Sequence, residues 1–246
     1  MTGPVKLLQL YPNELGVAGD RGNVMAITAR LNRAGVQTSV VQHTAGDALP
    51  NDVDLVVVGS GPVSAIRNIH ADLLSNAGAL RSLSDAGVPF FAYGAGAELL
   101  GRSIRLLDGA ELAGVRLFPF TTVRIERHRV GYTIVDSEFG QLAGFEDNAS
   151  LWHLDAGAHP LGRLVAGNGN SDSKQEGVRV ANSVATQVGG PILPLNPALT
   201  DAIIRSVVDR LGIDYVVGAA HADLDHYALK AREVIVDHAD HVFSRI

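Results

Sequence analysis

Three apolar runs in the first half of the chain each lead into a glycine-rich turn, and this pattern constrains the fold most strongly. The runs lie at residues 5–11, 54–58 and 89–93, and the turns follow at 16–22, 59–61 and 94–96. Short runs that are almost entirely apolar are typical of strands covered on both faces. Segments with helical periodicity separate them, at 23–34 and 63–86. We therefore predict an α/β fold with a mostly parallel central sheet and helices on both faces.

The second half of the chain has a different pattern. Short apolar runs at 115–120, 123–126, 130–135 and 164–166 predict strands joined by turns, and a further strand is expected at 38–41. The proline-rich segment 191–197 predicts irregular structure. Asn23 and Thr200 are placed to cap helices, and a last helix is expected over 225–243. Since no repeat or linker interrupts the chain, we predict a single domain over residues 1–246.

Charge and composition exclude several classes of protein. The formal net charge of −6 and the lack of a long basic cluster argue against a nucleic-acid partner. No run approaches the roughly 20 apolar residues that span a bilayer, and the amino terminus lacks a secretory signal pattern. The chain has no cysteine, which excludes disulfides and thiolate chemistry. We expect a cytoplasmic protein without a transmembrane segment.

Residues 89–101 predict a strand, a tight glycine turn and a helix. Enzymes use this construction to present a nucleophile at the carboxyl edge of a sheet. The residue at the apex of the turn is Gly94, which has no side chain to react. The sequence therefore indicates an enzyme scaffold that lacks its usual nucleophile.

Six short motifs occur in an order and spacing that resembles one family. They lie at residues 10–12, 19–23, 93–101, 144–146, 160–163 and 190–194. The set is similar to the glutaminase subunits of lipid II isoglutaminyl synthases, which are small class I glutamine amidotransferases of the cobyric acid synthase type with a flavodoxin-like fold. The resemblance implies glutamine hydrolysis that supplies ammonia to an ATP-dependent, Mur-ligase-like partner. That partner amidates the D-glutamate of the peptidoglycan stem peptide during cell-wall synthesis.

The catalytic positions that the resemblance assigns have lost their reactive groups. Gly94 stands where the family has its nucleophilic cysteine, and Gly189 stands where it has its histidine. Asp20, which is placed to orient that histidine, remains without its companion. Losing the nucleophile of such a unit costs orders of magnitude in rate. We therefore expect a pseudoenzyme without glutaminase activity.

The resemblance also assigns the substrate pocket, to Gly59, Gly61, Ala95, Glu98 and His128. Gly59 and Gly61 belong to the former oxyanion loop, and Ala95 follows the nucleophile position. Glu98 replaces a glutamine: it either favours a helix start through the helix dipole or selects against a glutamine carboxylate and for a cation. His128 replaces an arginine that contacts substrate.

Arg127 and Arg129 flank His128 in the sequence. Either arginine is a candidate to compensate for the substrate-binding arginine that the chain lacks.

A nucleotide cofactor and a metal are weaker interpretations. Gly94 and Gly96 match part of a dinucleotide fingerprint, but Leu99 stands where a third glycine or alanine is required. Histidine-rich clusters could bind a metal, although no fixed ligand motif supports this and solvated helix ends explain them more simply. The clustered residues are His221, Asp223, Asp225, His226, His238 and His241. We predict neither a cofactor nor a metal.

Two function hypotheses remain open. The first is a noncatalytic subunit that binds and regulates a Mur-ligase-like partner. The second is a pocket that has acquired different chemistry on a small polar molecule, with Glu98, His128 or Asp20 as acid–base groups. A well-formed polar pocket would favour the second hypothesis, and a pocket filled by side chains would oppose it.

Overall fold

The computed structural model describes residues 3–17, 19–171 and 173–239, which form two β-sheets and the helices around them. The strands are β1 (Val5–Leu10), β2 (Thr38–His43), β3 (Leu55–Val58), β4 (Phe90–Tyr93), β5 (Ser103–Arg105), β6 (Glu111–Ala113), β7 (Phe120–Ser137), β8 (Gly140–Leu154), β9 (Gly162–Ala166), β10 (Gln175–Glu176), β11 (Val178–Val180) and β12 (Ser183–Thr186). The helices are α1 (Arg21–Arg33), α2 (Val63–Ser75), α3 (Ala77–Asp85), α4 (Gly94–Leu100), α5 (Ile192–Leu195), α6 (Pro197–Leu211) and α7 (Ala222–Asp237), with a 3-10 turn at Ala219–His221.

The central sheet is mostly parallel, as the sequence predicts. Its strand order is β11-β12-β4-β3-β1-β2, and β11 alone runs antiparallel to its neighbour. Strands β3 and β4 are buried at every residue because helices cover both faces. The carboxyl ends of these strands lie at one edge, where α/β folds place their binding sites.

Alternating residues of each strand face opposite hydrophobic clusters. Leu8, Val56 and Phe90 pack with the apolar face of α2 and α3. Leu7 and Val57 pack on the other side, where α1 and α6 supply the apolar contacts. Both clusters also contain residues of the second sheet, so the two sheets are joined by shared core packing.

The second sheet is built around a long antiparallel hairpin, β7 and β8. The separate strands predicted at 123–126 and 130–135 are one strand, β7, whose pairing register shifts between Arg124 and Arg129. The run 115–120 is not a strand except at Phe120, and β8 was not predicted at all. Strand β8 carries glycine, aspartate and asparagine, residues that disfavour a strand when judged locally.

The predicted helix caps are wrong at two positions. Helix α1 begins at Arg21, so Asn23 lies inside it, and the buried Asn23 Oδ1 accepts a hydrogen bond from Leu193 N at 3.0 Å. Helix α6 begins at Pro197, and Thr200 Oγ1 donates to Leu193 O at 2.6 Å. Both polar side chains therefore fix the segment 191–197, which contains the short helix α5 rather than irregular structure throughout.

The remaining helices agree more closely with the sequence. The helical segment expected at 63–86 has its weak point at residues 76–78 of the sequence, and the structure divides it there: α2 ends at Ser75 and α3 begins at Ala77. The last helix is α7, and the predicted extension beyond residue 239 lies outside the described residues. None of the helices in the described ranges is long and apolar enough to cross a membrane.

Candidate functional site

The strand–turn–helix elbow is present at the predicted place. Strand β4 ends at Tyr93 and α4 begins at Gly94, whose φ of 51° lies in the left-handed region that side chains rarely adopt. A Cβ atom at Gly94 would lie 2.5 Å from Ser60 Oγ and 2.9 Å from Ser60 Cβ. The elbow therefore keeps the backbone of a nucleophile site, while Ser60 occupies the space beside its apex.

The backbone amides expected to bind an oxyanion already have partners. Ala95 N donates to Ser60 Oγ at 3.1 Å, and Gly96 N donates to Gly59 O at 3.0 Å. Gly59 and Gly61 are required for close packing, since a Cβ atom would lie 2.1 Å from Leu15 O at Gly59 and 2.3 Å from Glu14 O at Gly61. This geometry supports a steric turn rather than a phosphate-binding loop.

The ring of Tyr93 lies against Gly189, the position that the resemblance assigns to a histidine. A Cβ atom at Gly189 would lie 2.3 Å from both Cζ and Oη of Tyr93. The backbone cannot easily retreat, because Gly189 exchanges two hydrogen bonds with Phe145, with N–O distances of 2.7 and 3.1 Å. Burial raises the pKa of Tyr93 above its ordinary value, and the nearby carboxylates of Asp20 and Glu146 add to this. The phenol is therefore neutral at physiological pH.

The resemblance implies that Asp20 orients a histidine, but in the structure Asp20 contacts the glycine loop. Its buried Oδ2 accepts a hydrogen bond from Ser60 N at 3.1 Å. A Cβ atom at Gly59 would lie 2.6 Å from Asp20 Cγ, so the carboxylate is packed directly against the glycine loop. Asp20 thus fixes the turn that contains Ser60.

Both sequence interpretations of Glu98 are wrong. Glu98 is the fifth residue of α4, so its carboxylate is not in the first turn. Its side chain is 2% exposed and lies 2.6 Å from Arg124 Nη2, while Oε1 accepts from Ser150 Oγ at 2.7 Å. Because Arg124 neutralises it, Glu98 neither repels a carboxylate nor attracts a cation as an isolated charge. No motif marks Arg124 in the sequence, so its role beside Glu98 could not be predicted.

The candidates for the substrate arginine lie at the rim or away from the cleft. His128 has a side chain that is 61% exposed, and its Nδ1 lies 2.9 Å from Asp147 Oδ1. Arg129 turns inward, with Nη1 3.3 Å from Ser150 O, and Arg127 is exposed on β7. Neither arginine lines the cleft, so neither compensates; Arg124 is the arginine of β7 that does line it.

A cleft of about 920 Å³ opens beside the elbow. Five predicted site residues line it, and the other three, Gly59, Asp20 and Gly189, lie behind its wall. Sequence reasoning missed several other lining residues, since they follow no motif. The lining includes Ser60, Gly61, Tyr93, Gly94, Ala95, Glu98, Arg124, His128, Phe145, Asn148 and Gln187.

Two buried glutamates lie next to this region. Glu176 Oε1 accepts hydrogen bonds from Thr186 Oγ1 at 2.9 Å and from Gln187 N at 2.8 Å. Burial raises the pKa of Glu176 to about 7, and the neighbouring charge of Glu146 contributes. Burial also raises the pKa of Glu146, which accepts hydrogen bonds from Asn168. These carboxylates bond to protein groups behind the cleft.

Three of the clustered histidine and aspartate residues make contacts between helices. Asp225 and Asp223 bind Arg30 and Arg33 of α1, and His221 Nε2 lies 3.0 Å from Arg30 O. Within the described ranges, no group of three or more histidine or acidic side chains could hold a metal ion. His241 lies outside these ranges.

Comparisons with known proteins agree with this geometry. The chain is 27% identical over 232 residues to the subunit GatD of lipid II isoglutaminyl synthase (glutamine-hydrolyzing) from Staphylococcus aureus strain N315, which covers 93% of each protein. The GatD subunit from Streptococcus pneumoniae R6 is 25% identical over 211 residues, covering 84% of this chain and 81% of that protein.

A crystal structure of a glutamine amidotransferase matches with a TM-score of 0.55 at 16% identity, over 84% of this chain and 99% of the other, which shows the shared fold. The model of the CobB/CobQ-like glutamine amidotransferase domain matches residues 27–196, more than half of the chain. The elbow, the glycine loop and this match together show that the chain belongs to the CobB/CobQ-like glutamine amidotransferase family.

Proposed function

We propose that this chain is a noncatalytic, amidotransferase-like subunit that binds an ATP-dependent, Mur-ligase-like partner in the cytoplasm and stabilises or regulates it. The observation that carries the proposal is the ring of Tyr93 in the space that any side chain at Gly189 would need. A histidine cannot be placed there while Tyr93 keeps its position.

The three parts of glutamine hydrolysis are each missing or blocked. The nucleophile position is Gly94, and the proton-shuttle position is Gly189. The amide of Ala95 is bonded to Ser60 Oγ and is not available to a developing oxyanion without rearrangement. Ser60 is a hydroxyl near the elbow, but the histidine that lines the cleft, His128, contacts Asp147 at the rim.

Support for the partner comes from the relatives. The two GatD proteins are subunits of lipid II isoglutaminyl synthases, and each is similar to this chain along most of its length. We infer that the present chain keeps the subunit role without the glutaminase step. A ligase served by such a subunit would take free ammonium as its nitrogen source and act on peptidoglycan precursors.

The test measures ammonia release and complex formation. The purified chain is assayed with L-glutamine alone and together with the Mur-ligase-like protein of the same organism, with the active GatD of S. aureus as positive control. We expect no ammonia above the buffer background, co-elution of the two proteins, and amidation that requires added ammonium and changes when the chain is present. Glutamine-dependent ammonia release would overturn the noncatalytic assignment, and failure to co-elute would overturn the subunit assignment.

The acid–base version of the second hypothesis receives less support. Glu98 is paired with Arg124, and Asp20 accepts the Ser60 amide, so neither is placed as a free general base. The open cleft nevertheless favours binding of a small molecule over a pocket filled by side chains.

A further inference from the structure

We propose that the cleft beside the elbow binds an uncharged ligand that presents an amide N–H next to a carbonyl oxygen, as a lactam or a nucleobase does. Gln187 is the residue that recognises this edge. The proposal goes beyond the subunit role and does not depend on it, because it concerns the isolated chain.

The first step of the argument is the size and character of the cleft. Its volume of about 920 Å³ is in the upper range of small-molecule sites, which run from about 300 to 1,000 Å³. Tyr93 and Phe145 contribute aromatic rings to its lining, and Ile125 and Leu106 contribute aliphatic groups. Aromatic rings and flat apolar surface suit a planar ligand.

The second step is the balance of charge. Two arginines and one histidine that line the cleft each contact a carboxylate that also lines it: Arg124 with Glu98, Arg67 with Asp108, and His128 with Asp147. Glu126 lies exposed on the same lining and would oppose an anion. A ligand with a free carboxylate would have to separate an existing pair, and removing one partner of a buried pair is costly. The charges on the lining therefore oppose an anionic group such as the carboxylate of glutamine.

The third step is the amide of Gln187. This residue is 2% exposed and lines the cleft, and within the described part of the chain neither Oε1 nor Nε2 has a hydrogen-bond partner. Buried amides normally have partners, so an unsatisfied one needs an explanation. An amide offers one acceptor beside two donors, and a ligand edge with N–H next to C=O satisfies both kinds at once. Asn148 Nδ2 also lacks a partner in the described ranges and could donate to a second carbonyl.

The test is a ligand-observed NMR titration of the full chain with four probes and a comparator. The probes are uracil and 2-piperidone, and their N-methylated forms 1,3-dimethyluracil and N-methyl-2-piperidone, which have no N–H. We expect saturable binding of at least one parent probe, at least tenfold weaker binding of its methylated form, and L-glutamine no tighter than the methylated form. A site built around a polar pair rejects analogues that leave that pair unsatisfied.

Two variants assign the effect to the side chain. Gln187→Met removes the amide at nearly constant length, and we expect binding of the parent probe to weaken at least tenfold. Gln42→Met, on the exposed end of β2 and away from the cleft, is the matched control and should bind like the unaltered chain. If Gln187→Met does not fold, the side-chain NH2 signal of Gln187 in the unaltered protein should shift with the parent probe and not with its methylated form.

Three results would overturn the proposal. They are no saturable binding of either parent probe, equal binding of parent and methylated probes, and tighter binding of glutamine than of either parent. None of these depends on the ligase, so they are separable from a failure of the two proteins to form a complex.

Discussion

At the scale of single residues, the two glycines at the positions that the resemblance assigns to catalysis are closely packed by neighbouring side chains. Tyr93 lies against Gly189, and Ser60 lies against Gly94. Because of these neighbours, a larger residue at either glycine would require the surrounding atoms to move.

A substitution at position 189 tests this packing. We expect Gly189→Ala to lower the free energy of unfolding by about 1–3 kcal/mol, because the new methyl group overlaps the Tyr93 ring. In a Tyr93→Ala background the same substitution should cost much less, since the overlapping atoms are gone. Chemical denaturation of the four proteins measures the coupling.

Gly78→Ala in α3 is the control for the substitution itself. Nothing lies within 4 Å of the added Cβ, and the site is helical, so we expect a gain of roughly 0.5–1 kcal/mol. An equal cost of Gly189→Ala with and without Tyr93 would contradict the packing that the structure shows.

At the scale of elements, α7 is joined to the rest of the molecule mainly by charged contacts. Ala228 is its one buried residue, while Arg30 of α1 contacts Asp225 of α7 and makes a bidentate pair with Asp201 of α6 at 2.6 and 2.7 Å. Arg30 thus connects three helices from a buried position. Arg33 also reaches α7, through Asp223, but that pair is more exposed.

Hydrogen exchange distinguishes the two arginines. We expect Arg30→Met to increase amide exchange across α7 at least tenfold while leaving β3 and β4 protected, because Asp225 of α7 loses its contact with α1 and the buried Asp201 keeps only the Tyr215 hydroxyl as a side-chain partner within the described ranges. Arg33→Met should change α7 far less, since exposed pairs contribute about 0–1 kcal/mol. Equal exchange in the two variants would mean that α7 is stabilised by its apolar contacts instead.

The predicted elements have a signal in their own local sequence, whereas the missed elements depend on contacts between residues that are distant in sequence. Strands β1, β3 and β4 can be predicted from the local sequence, because each is an apolar run that leads into a glycine-rich turn. In the β7–β8 hairpin, the runs 123–126 and 130–135 of β7 were predicted as two strands, whereas β8 is specified by its pairing with β7 and its polar residues carry no local strand signal.

The same distinction applies to the site. The position of the elbow was predictable, whereas the Tyr93–Gly189 and Arg124–Glu98 contacts join residues that are distant in sequence. Such contacts become visible only once the fold brings their elements together.

At the scale of the whole molecule, the buried carboxylate of Glu176 links stability to pH. Burial raises its folded-state pKa from 4.5 to about 7, so in this interval the folded protein binds a proton that the unfolded chain has released. Stability therefore falls as pH rises from about 4.5 to 7 and is constant above, with a total contribution on the order of 3 kcal/mol.

The variant Glu176→Gln isolates this contribution. Its amide keeps an acceptor for Thr186 and for the Gln187 amide but cannot ionise. We expect the variant to match the unaltered protein near pH 4.5 and to be more stable by about 2–3 kcal/mol at pH 8, as measured by urea unfolding across that range. A difference between the two proteins that does not vary with pH would refute the assignment.

The contact between Tyr93 and Gly189 also limits which substitutions the site can accept one at a time. From the present sequence, restoring a histidine at position 189 alone meets the Tyr93 ring, and restoring a cysteine at position 94 alone meets Ser60. Either substitution alone introduces a steric overlap and supplies only one of the two catalytic side chains. Neither substitution is therefore favoured by itself. Under the proposed noncatalytic role, glutaminase activity would therefore require coordinated changes at positions 93 and 189 and at positions 60 and 94.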